Sequence, residues 1–354
     1  MKLQAETKPL LAAVTQAAAP IASRNTTPVL ECVLLRAADN ALSITGSNLD
    51  MEVRATCEAA VSAPGCIAVP AAPLKAWLSS LSETLVTITL DGAVDLRAGR
   101  SHCRLPFFPE ADFPVAMPGD APHEIEGAAA ALAYCAPFVS TEEIKYNLRG
   151  VHFGAAGACG YNGHCAGFAP VASPVETTVP AEAFRIILPI LKGGGRLFLG
   201  ETVWRVEGED IRVKGKVVDG VFPDWQRGIP RGVPIFTAEA DDLSCALRKI
   251  TFDGAKRVLI RSSDDGVVMD GEGYDKASIA ATTASRADVL ASFGQCLSAK
   301  SLASILDVNT GSVLQADLVN FVLLFRPLAR EGFGCVVMGM RHEGNLAPEE
   351  RVAA

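Results

Sequence analysis

The 354-residue chain is 49% hydrophobic and 20% charged, with a formal net charge of −8. That balance fits a globular protein with ample core in two or three domains. It argues against a protein that coats nucleic acid with its whole surface, while leaving room for a local basic face on an acidic body. No run of about 18 apolar residues offers a membrane span. Met1-Lys2-Leu3-Gln4-Ala5-Glu6 lacks the apolar stretch of an export signal, so a cytoplasmic protein is expected. The 10 cysteines are scattered without a C-x-x-C pair. They read as reduced, mostly buried small residues.

Residues 8–19 read as a helix with Pro9 in its first turn. Val29 to Leu35 and Ala41 to Thr45 alternate around Asp39-Asn40, a hairpin signal. Leu85 to Leu90 and Ala93 to Arg97 flank Asp91-Gly92, a second hairpin. The first region closes at Phe107 to Pro114, followed by a Pro118-Gly119-Asp120 linker. The plan then repeats: a helix over Ala128 to Val139, a strand at Gly150 to Phe153, hairpin strands at Arg196 to Leu199 and Val203 to Val206, and closure at Val218 to Trp225. A third helix-first region begins at Asp241 to Thr251. Its strands are expected at Arg257 to Arg261 and Gly266 to Met269 around Asp264-Asp265, then at Val313 to Ala316, Phe321 to Phe325 and Gly334 to Met338.

One phrase occurs three times, as Val69-Pro70-Ala71 to Leu78, Val179-Pro180-Ala181 to Leu188, and a worn Leu297-Ser298-Ala299 to Leu306. Leu74, Trp77 and Leu78 match Phe184, Ile187 and Leu188, and Leu302, Ile305 and Leu306. The spacing is one face of an amphipathic helix, and Pro70 and Pro180 suit its first turn. The period is roughly 110–120 residues, a domain rather than a solenoid repeat.

Little of this carries enzyme chemistry. Gly154 to Gly160 is glycine-rich, but the helix a phosphate loop needs does not follow, so a plain hairpin is expected. Gly193-Gly194-Gly195 reads as a helix stop. Cys159, His164 and Cys165 lie close in sequence without the further ligands or base that zinc or thiol chemistry requires. Cations recur on the predicted helices: Lys75, Arg185 and Lys300 on the repeated phrase, with Lys8, Lys192, Arg248 and Lys249 on or beside others. Composition alone reads them as ordinary solvated side chains. One concave positive lining is the alternative.

Four stretches change that balance: Arg24 to Leu30 continuing through Leu42 to Glu52, Tyr161-Asn162-Gly163-His164, Val218 to Arg227, and Val336 to Arg341. In order along the chain, they resemble the bacterial sliding clamp family, the beta subunit of DNA polymerase III. Its corresponding later elements read T-D-G-H-R-L, V-D-G-x-F-P-D-Y-x-R and V-V-M-P-M-R-L. The resemblance implies an α+β fold of three repeated clamp-type domains, at 1–119, 120–234 and 235–345, with a C-terminal tail at 346–354. Each domain would hold two helices and antiparallel sheets, and the chain would form half of a ring. It implies a non-enzymatic processivity factor without cofactor or metal that encircles duplex DNA and tethers polymerase and other replication proteins. The alternative is a clamp-like interaction protein that binds peptides without encircling DNA.

The resemblance also implies partners and sites. Duplex DNA would be contacted without regard to sequence by Arg24, Lys75, Lys145, Arg185, Lys249 and Lys300. A homodimer would bring Cys103-Arg104-Leu105 and Phe107 of one copy near Ile250 and Phe252 of the other. Polymerase and clamp loader would dock short peptides into a cleft of Leu148, Tyr161, Gly163, His164, Cys165, Ala166, Pro223, Arg227, Val319, Phe321, Val336, Met338, Met340 and Arg341. Met338 and Met340, alternating on one strand, are expected to face it together. The chain departs from the family pattern at Cys165-Ala166 (arginine and leucine), Gly228 (valine) and Gly339 (proline). The small side chains at 166 and 228 imply a cleft that takes a bulkier anchor or binds family peptides less tightly. The tail is expected to lie across the groove.

Overall fold

The computed structural model describes residues 1–22, 26–114, 117–251, 254–263, 266–272, 278–282, 288–340 and 346–350. Among these, six α-helices occur: α1 (Thr7–Ala17), α2 (Ala71–Ser79), α3 (Ala128–Cys135), α4 (Phe184–Lys192), α5 (Ala240–Thr251) and α6 (Ala299–Val308). The remaining regular structure is antiparallel sheet and short 3-10 turns, an α+β architecture. The chain divides into two compact units, 1–126 with 182–217 and 127–181 with 218–354.

In the first unit a five-stranded sheet runs in the order Ala60–Ala63, Lys2–Glu6, Leu85–Leu90, Val94–Ala98, Ser101–Leu105. A nine-stranded sheet runs Phe108–Pro109, Gly65–Pro70, Cys32–Ala38, Ala41–Ser47, Met51–Glu58, Ile211–Lys216, Val203–Glu207, Arg196–Leu199, His123–Ile125. At its middle, segments far apart in sequence pair, with Ala55 opposite Ile211 and Met51 opposite Gly215. Period-2 alternation turns Val33, Leu35, Leu42 and Ile44 inward, where they meet Leu10 and Val14 of α1 and Leu74 and Leu78 of α2. Fully burying each such aliphatic side chain is worth about 1.5–3 kcal/mol.

The second unit repeats the device. Its nine-stranded sheet runs Thr177–Pro180, Gly150–Gly154, Gly157–Tyr161, Cys165–Ala169, Gly334–Met338, Val322–Pro327, Val313–Val319, Val233–Glu239, Asp288–Val289. Again distant segments meet at the middle, Cys165 opposite Val337 and Phe168 opposite Gly334. A five-stranded sheet runs Ser278–Thr282, Gly266–Glu272, Arg257–Ser263, Ala291–Ser298, Leu346–Glu350. Phe236 stacks on Phe293 at 5.3 Å and meets Phe325 edge-on at 6.3 Å in the core.

The thrice-repeated phrase is a strand-to-helix corner. Its strands are Gly65–Pro70, Thr177–Pro180 and Ala291–Ser298, and the helices are α2, α4 and α6. Leu74, Leu78, Phe184, Ile187, Leu302, Ile305 and Leu306 are buried as the spacing predicts, while Trp77 and Leu188 are half-buried. Pro70 and Pro180 do not open the helices. They end the strands, and in the second copy a 3-10 turn, Ala181–Ala183, intervenes. Gly193-Gly194-Gly195 is the expected stop: Gly195 N–H donates to Ile190 O and Gly194 N–H to Leu191 O, with Gly194 at φ +92°.

Other expectations shift by a few residues. Pro28–Glu31 is a 3-10 turn, so the first hairpin strand begins at Cys32, and Asp39 and Asn40 both adopt positive φ between the strands. The helix expected through Val139 becomes 3-10 at Ala136–Phe138, where Pro137 removes an N–H. Phe321 is not a strand residue. With Asn320 it forms the positive-φ turn between Val313–Val319 and Val322–Pro327. Asp264 and Asp265 lie outside the described residues.

Candidate functional site

Alternation along Cys165–Ala169 sends Ala166 and Phe168 to one face, beside Val336 and Met338 on the paired strand Gly334–Met338. A cavity of about 260 Å3 opens there, lined also by Tyr161, His164, Cys165, Val322 and the segment Pro223, Asp224, Trp225, Gly228 and Ile229. Met338 is 52% exposed, so it fills no core.

Two local networks build the walls. Asn162 Oδ1 accepts the backbone N–H groups of His164 and Cys165, each at 2.9 Å, and Gly163 takes φ +94° in that turn. The His164 carbonyl then accepts Met338 N–H at 3.0 Å, tying the turn to the last strand. The segment carrying Pro223 and Asp224 is held by two stacked pairs, Phe222 on His152 at 4.5 Å and Trp225 on Phe168 at 5.5 Å. His152 bonds Thr178 Oγ1 at 3.1 Å and Glu176 Oε2 at 2.8 Å. Burial pushes the His152 pKa down and Glu176 opposes it, leaving a net lowering.

The structure thus gathers Tyr161, His164, Cys165, Ala166, Pro223, Val336 and Met338 of the expected cleft around one cavity, with Gly163 in the adjoining turn. Leu148 is buried at 6% exposure and is not part of the lining. Arg227 stands at the rim, paired with Asp224 at 2.8 Å. Phe321 falls in the turn and Val319 ends the strand before it; neither lines the cavity, whereas Val322, opposite Met338 in the ladder, does. Met340 does not share a face with Met338: the strand ends at Met338, and Met340 bridges to Cys296. Arg341 lies outside the described residues. Phe168, Asp224, Trp225, Gly228, Ile229 and Val322 complete the lining. Phe168 was readable as the alternation partner of Ala166. Val322 was not, because its register depends on the Asn320-Phe321 turn.

The described part of the tail, Leu346–Glu350, lies in a sheet rather than across the groove. Leu346–Glu350 pairs with Ala291–Ser298 at the end of the five-stranded sheet, Ala291 opposite Glu350.

Of the expected DNA contacts, Lys75, Arg185, Lys249 and Lys300 are exposed on α2, α4, α5 and α6. Arg185 also reaches the Ala19 carbonyl at 3.3 Å. Lys145 is engaged instead, by Glu142 at 2.9 Å and the Asn162 carbonyl at 3.3 Å, so it braces the cleft turn. Arg24 lies outside the described residues. Ile250 is 1% exposed within its own unit and presents no surface to a second copy, and Phe252 lies outside the described residues.

Gly154 and Gly157 flank a plain hairpin turn, as expected. Cys159 is fully buried and burial pushes its thiol well up, whereas the His164 side chain is exposed. Burial also raises the Cys165 thiol. The three therefore form no thiolate–imidazole pair. Among the described residues no group of three or more His, Cys, Asp or Glu side chains is arranged to hold a metal. A second cavity, of about 540 Å3 beside Gly193–Gly195, is lined by Arg54, Arg196 and Arg212 with Glu207 and Asp210. Glu207 pairs with Arg196, Arg205 and Arg212, so that surface is charge-balanced.

Residues 1–118 match the family model of the DNA polymerase III beta subunit, N-terminal domain. The beta sliding clamp of Caulobacter vibrioides is 29% identical over 284 residues, covering 73% of this chain and 76% of the relative. The chain is thus similar to bacterial beta sliding clamps, through its first 118 residues in the family model and over most of its length in the relative. The fold agrees along nearly the whole chain. The solved structure of Caulobacter crescentus pol III beta superposes with a TM-score of 0.88 at 23% identity, covering 97% of this chain and 100% of that one. A Bartonella birtlesii sliding clamp bound to griselimycin superposes with a TM-score of 0.89 at 21% identity over the same shares.

Proposed function

We propose that this chain is a DNA sliding clamp: a non-enzymatic processivity factor that closes with a second copy around duplex DNA and tethers polymerase through peptides docked at the Met338 cleft. Within it we read three domains, at 1–119, 120–234 and 235–345. One observation carries the assembly. Two junctions of the same kind occur inside the chain, Met51–Glu58 on Ile211–Lys216 and Cys165–Ala169 on Gly334–Met338. The strands at the corresponding repeat positions, Ser278–Thr282 and Ser101–Leu105, each end a described five-stranded sheet. Pairing one with the other in a second copy makes the same junction between subunits. Made twice, head to tail, that heterologous contact closes.

Closure accounts for the charge distribution. A ring that slides must attract phosphates without reading bases. Exposed Lys75, Arg185, Lys249 and Lys300 on helices supply that attraction, and the net charge of −8 discourages contact elsewhere. Light scattering at micromolar concentration tests the assembly. The wild type is expected to be a dimer, and Arg104→Pro, which puts a proline in the end strand, a folded monomer. A wild type that stays monomeric contradicts the ring and favours a peptide-binding protein that does not encircle DNA.

A further inference from the structure

Gly228 lines the Met338 cleft from an exposed position. A Cβ added there meets nothing within 4 Å, and Gly228 is not one of the positive-φ glycines. No backbone requirement therefore calls for glycine. What its small size leaves is space.

Size, wall chemistry and charge say what fits. A cavity of about 150 Å3 holds a benzene ring, and this one measures about 260 Å3. That leaves room for a second fused ring. One side is aromatic, Phe168 stacked on Trp225 at 5.5 Å, and offers a face for offset stacking. The rest is mainly apolar, with Tyr161, His164 and Asp224 as its polar side chains. Asp224, at the rim, is already paired with Arg227 at 2.8 Å. A charged anchor would lose water without gaining a free counter-ion, whereas an indole N–H can still donate to the Asp224 carboxylate.

We infer that Gly228 opens the cleft into a subsite for an uncharged two-ring aromatic side chain, an indole, on the docked peptide. Gly228 is the specificity-determining position, and a branched aliphatic anchor leaves the space beside it empty. The inference rests on the reading of this cleft as the peptide dock.

The test uses the full chain and two small probes, N-acetyl-tryptophanamide and N-acetyl-leucinamide, followed by amide shifts at Gly228, Val322 and Met338. The tryptophan probe is expected to bind about tenfold more tightly than the leucine probe. Gly228→Val is expected to remove that preference and Gly228→Ala to halve it in logarithmic terms, with spectra otherwise unchanged because the added atoms enter open space. Equal binding of the two probes by the wild type overturns the inference, as does an unchanged preference in Gly228→Val. A labelled clamp-binding peptide from the polymerase separates the two claims. If it fails to bind while the tryptophan preference holds, the dock reading falls and the subsite stands. If it binds and the preference is absent, only the subsite falls.

Discussion

Asn309 shows how much one buried polar residue can hold. Its Oδ1 accepts the Tyr134 hydroxyl at 3.2 Å, and its Nδ2 donates to the Ile305 carbonyl at 2.8 Å and contacts Cys335 Sγ at 3.8 Å. Cys335 in turn donates to Tyr134. The network ties α3, α6 and the strand Gly334–Met338 together. Asn309→Ala strands buried polar groups, so chemical unfolding is expected to show a loss of about 1–3 kcal/mol. His152 adds a pH dependence. Its folded pKa lies below the unfolded value, so the unfolded chain binds the proton more readily. The stability this confers is complete above about pH 6.5 and falls as pH drops through the folded value. Melting temperatures of His152→Gln are expected to lose that part of the acid dependence. Burial pushes the Cys32, Cys57 and Cys66 thiols up to about 11, whereas Cys245 is exposed. A thiol reagent near neutral pH is expected to label Cys245 first and Cys135, Cys159 and Cys335 only on unfolding, as mass spectrometry of timed samples would record.

At the scale of elements, apolar spacing read most helices and strands, because period 3.6 and period 2 are imposed by burial itself. It failed where backbone chemistry decides. Phe321 was read into a strand because it is apolar and precedes an apolar run. The turn puts it at φ +66°, a costly conformation for a bulky side chain, where its carbonyl accepts Gly339 N–H at 2.6 Å. A proline at 339 would lack that donor, so the glycine here has a local use. Phe321→Gly is expected to relieve the strain and raise stability by about 1 kcal/mol. The tail was misread for a related reason: strand addition depends on an available partner edge, which no local pattern reveals. Because Leu346–Glu350 extends the sheet on Ala291–Ser298, deleting residues 346–354 is expected to lower thermal stability and leave peptide affinity at the cleft unchanged.

For the whole molecule, the repeat was legible because the same corner is spelled three times, and half the expected cleft followed from the motifs at 161–166, 218–227 and 336–341. Val322 was not, since its register depends on the Asn320-Phe321 turn, and neither was the stacking of Trp225 on Phe168, a contact between segments distant in sequence. The sliding reading makes charge a collective property. Reversing Lys75, Arg185, Lys249 or Lys300 singly is expected to flatten the log–log salt dependence of DNA retention by about one unit each. The most direct test is topological. A loader is used to place the protein on nicked circular DNA, the complex is isolated by gel filtration, and one half is cut once to linear form. A ring held by encirclement is expected to stay on the circle and run off the linear molecule. Equal retention on both, or none on either, contradicts it.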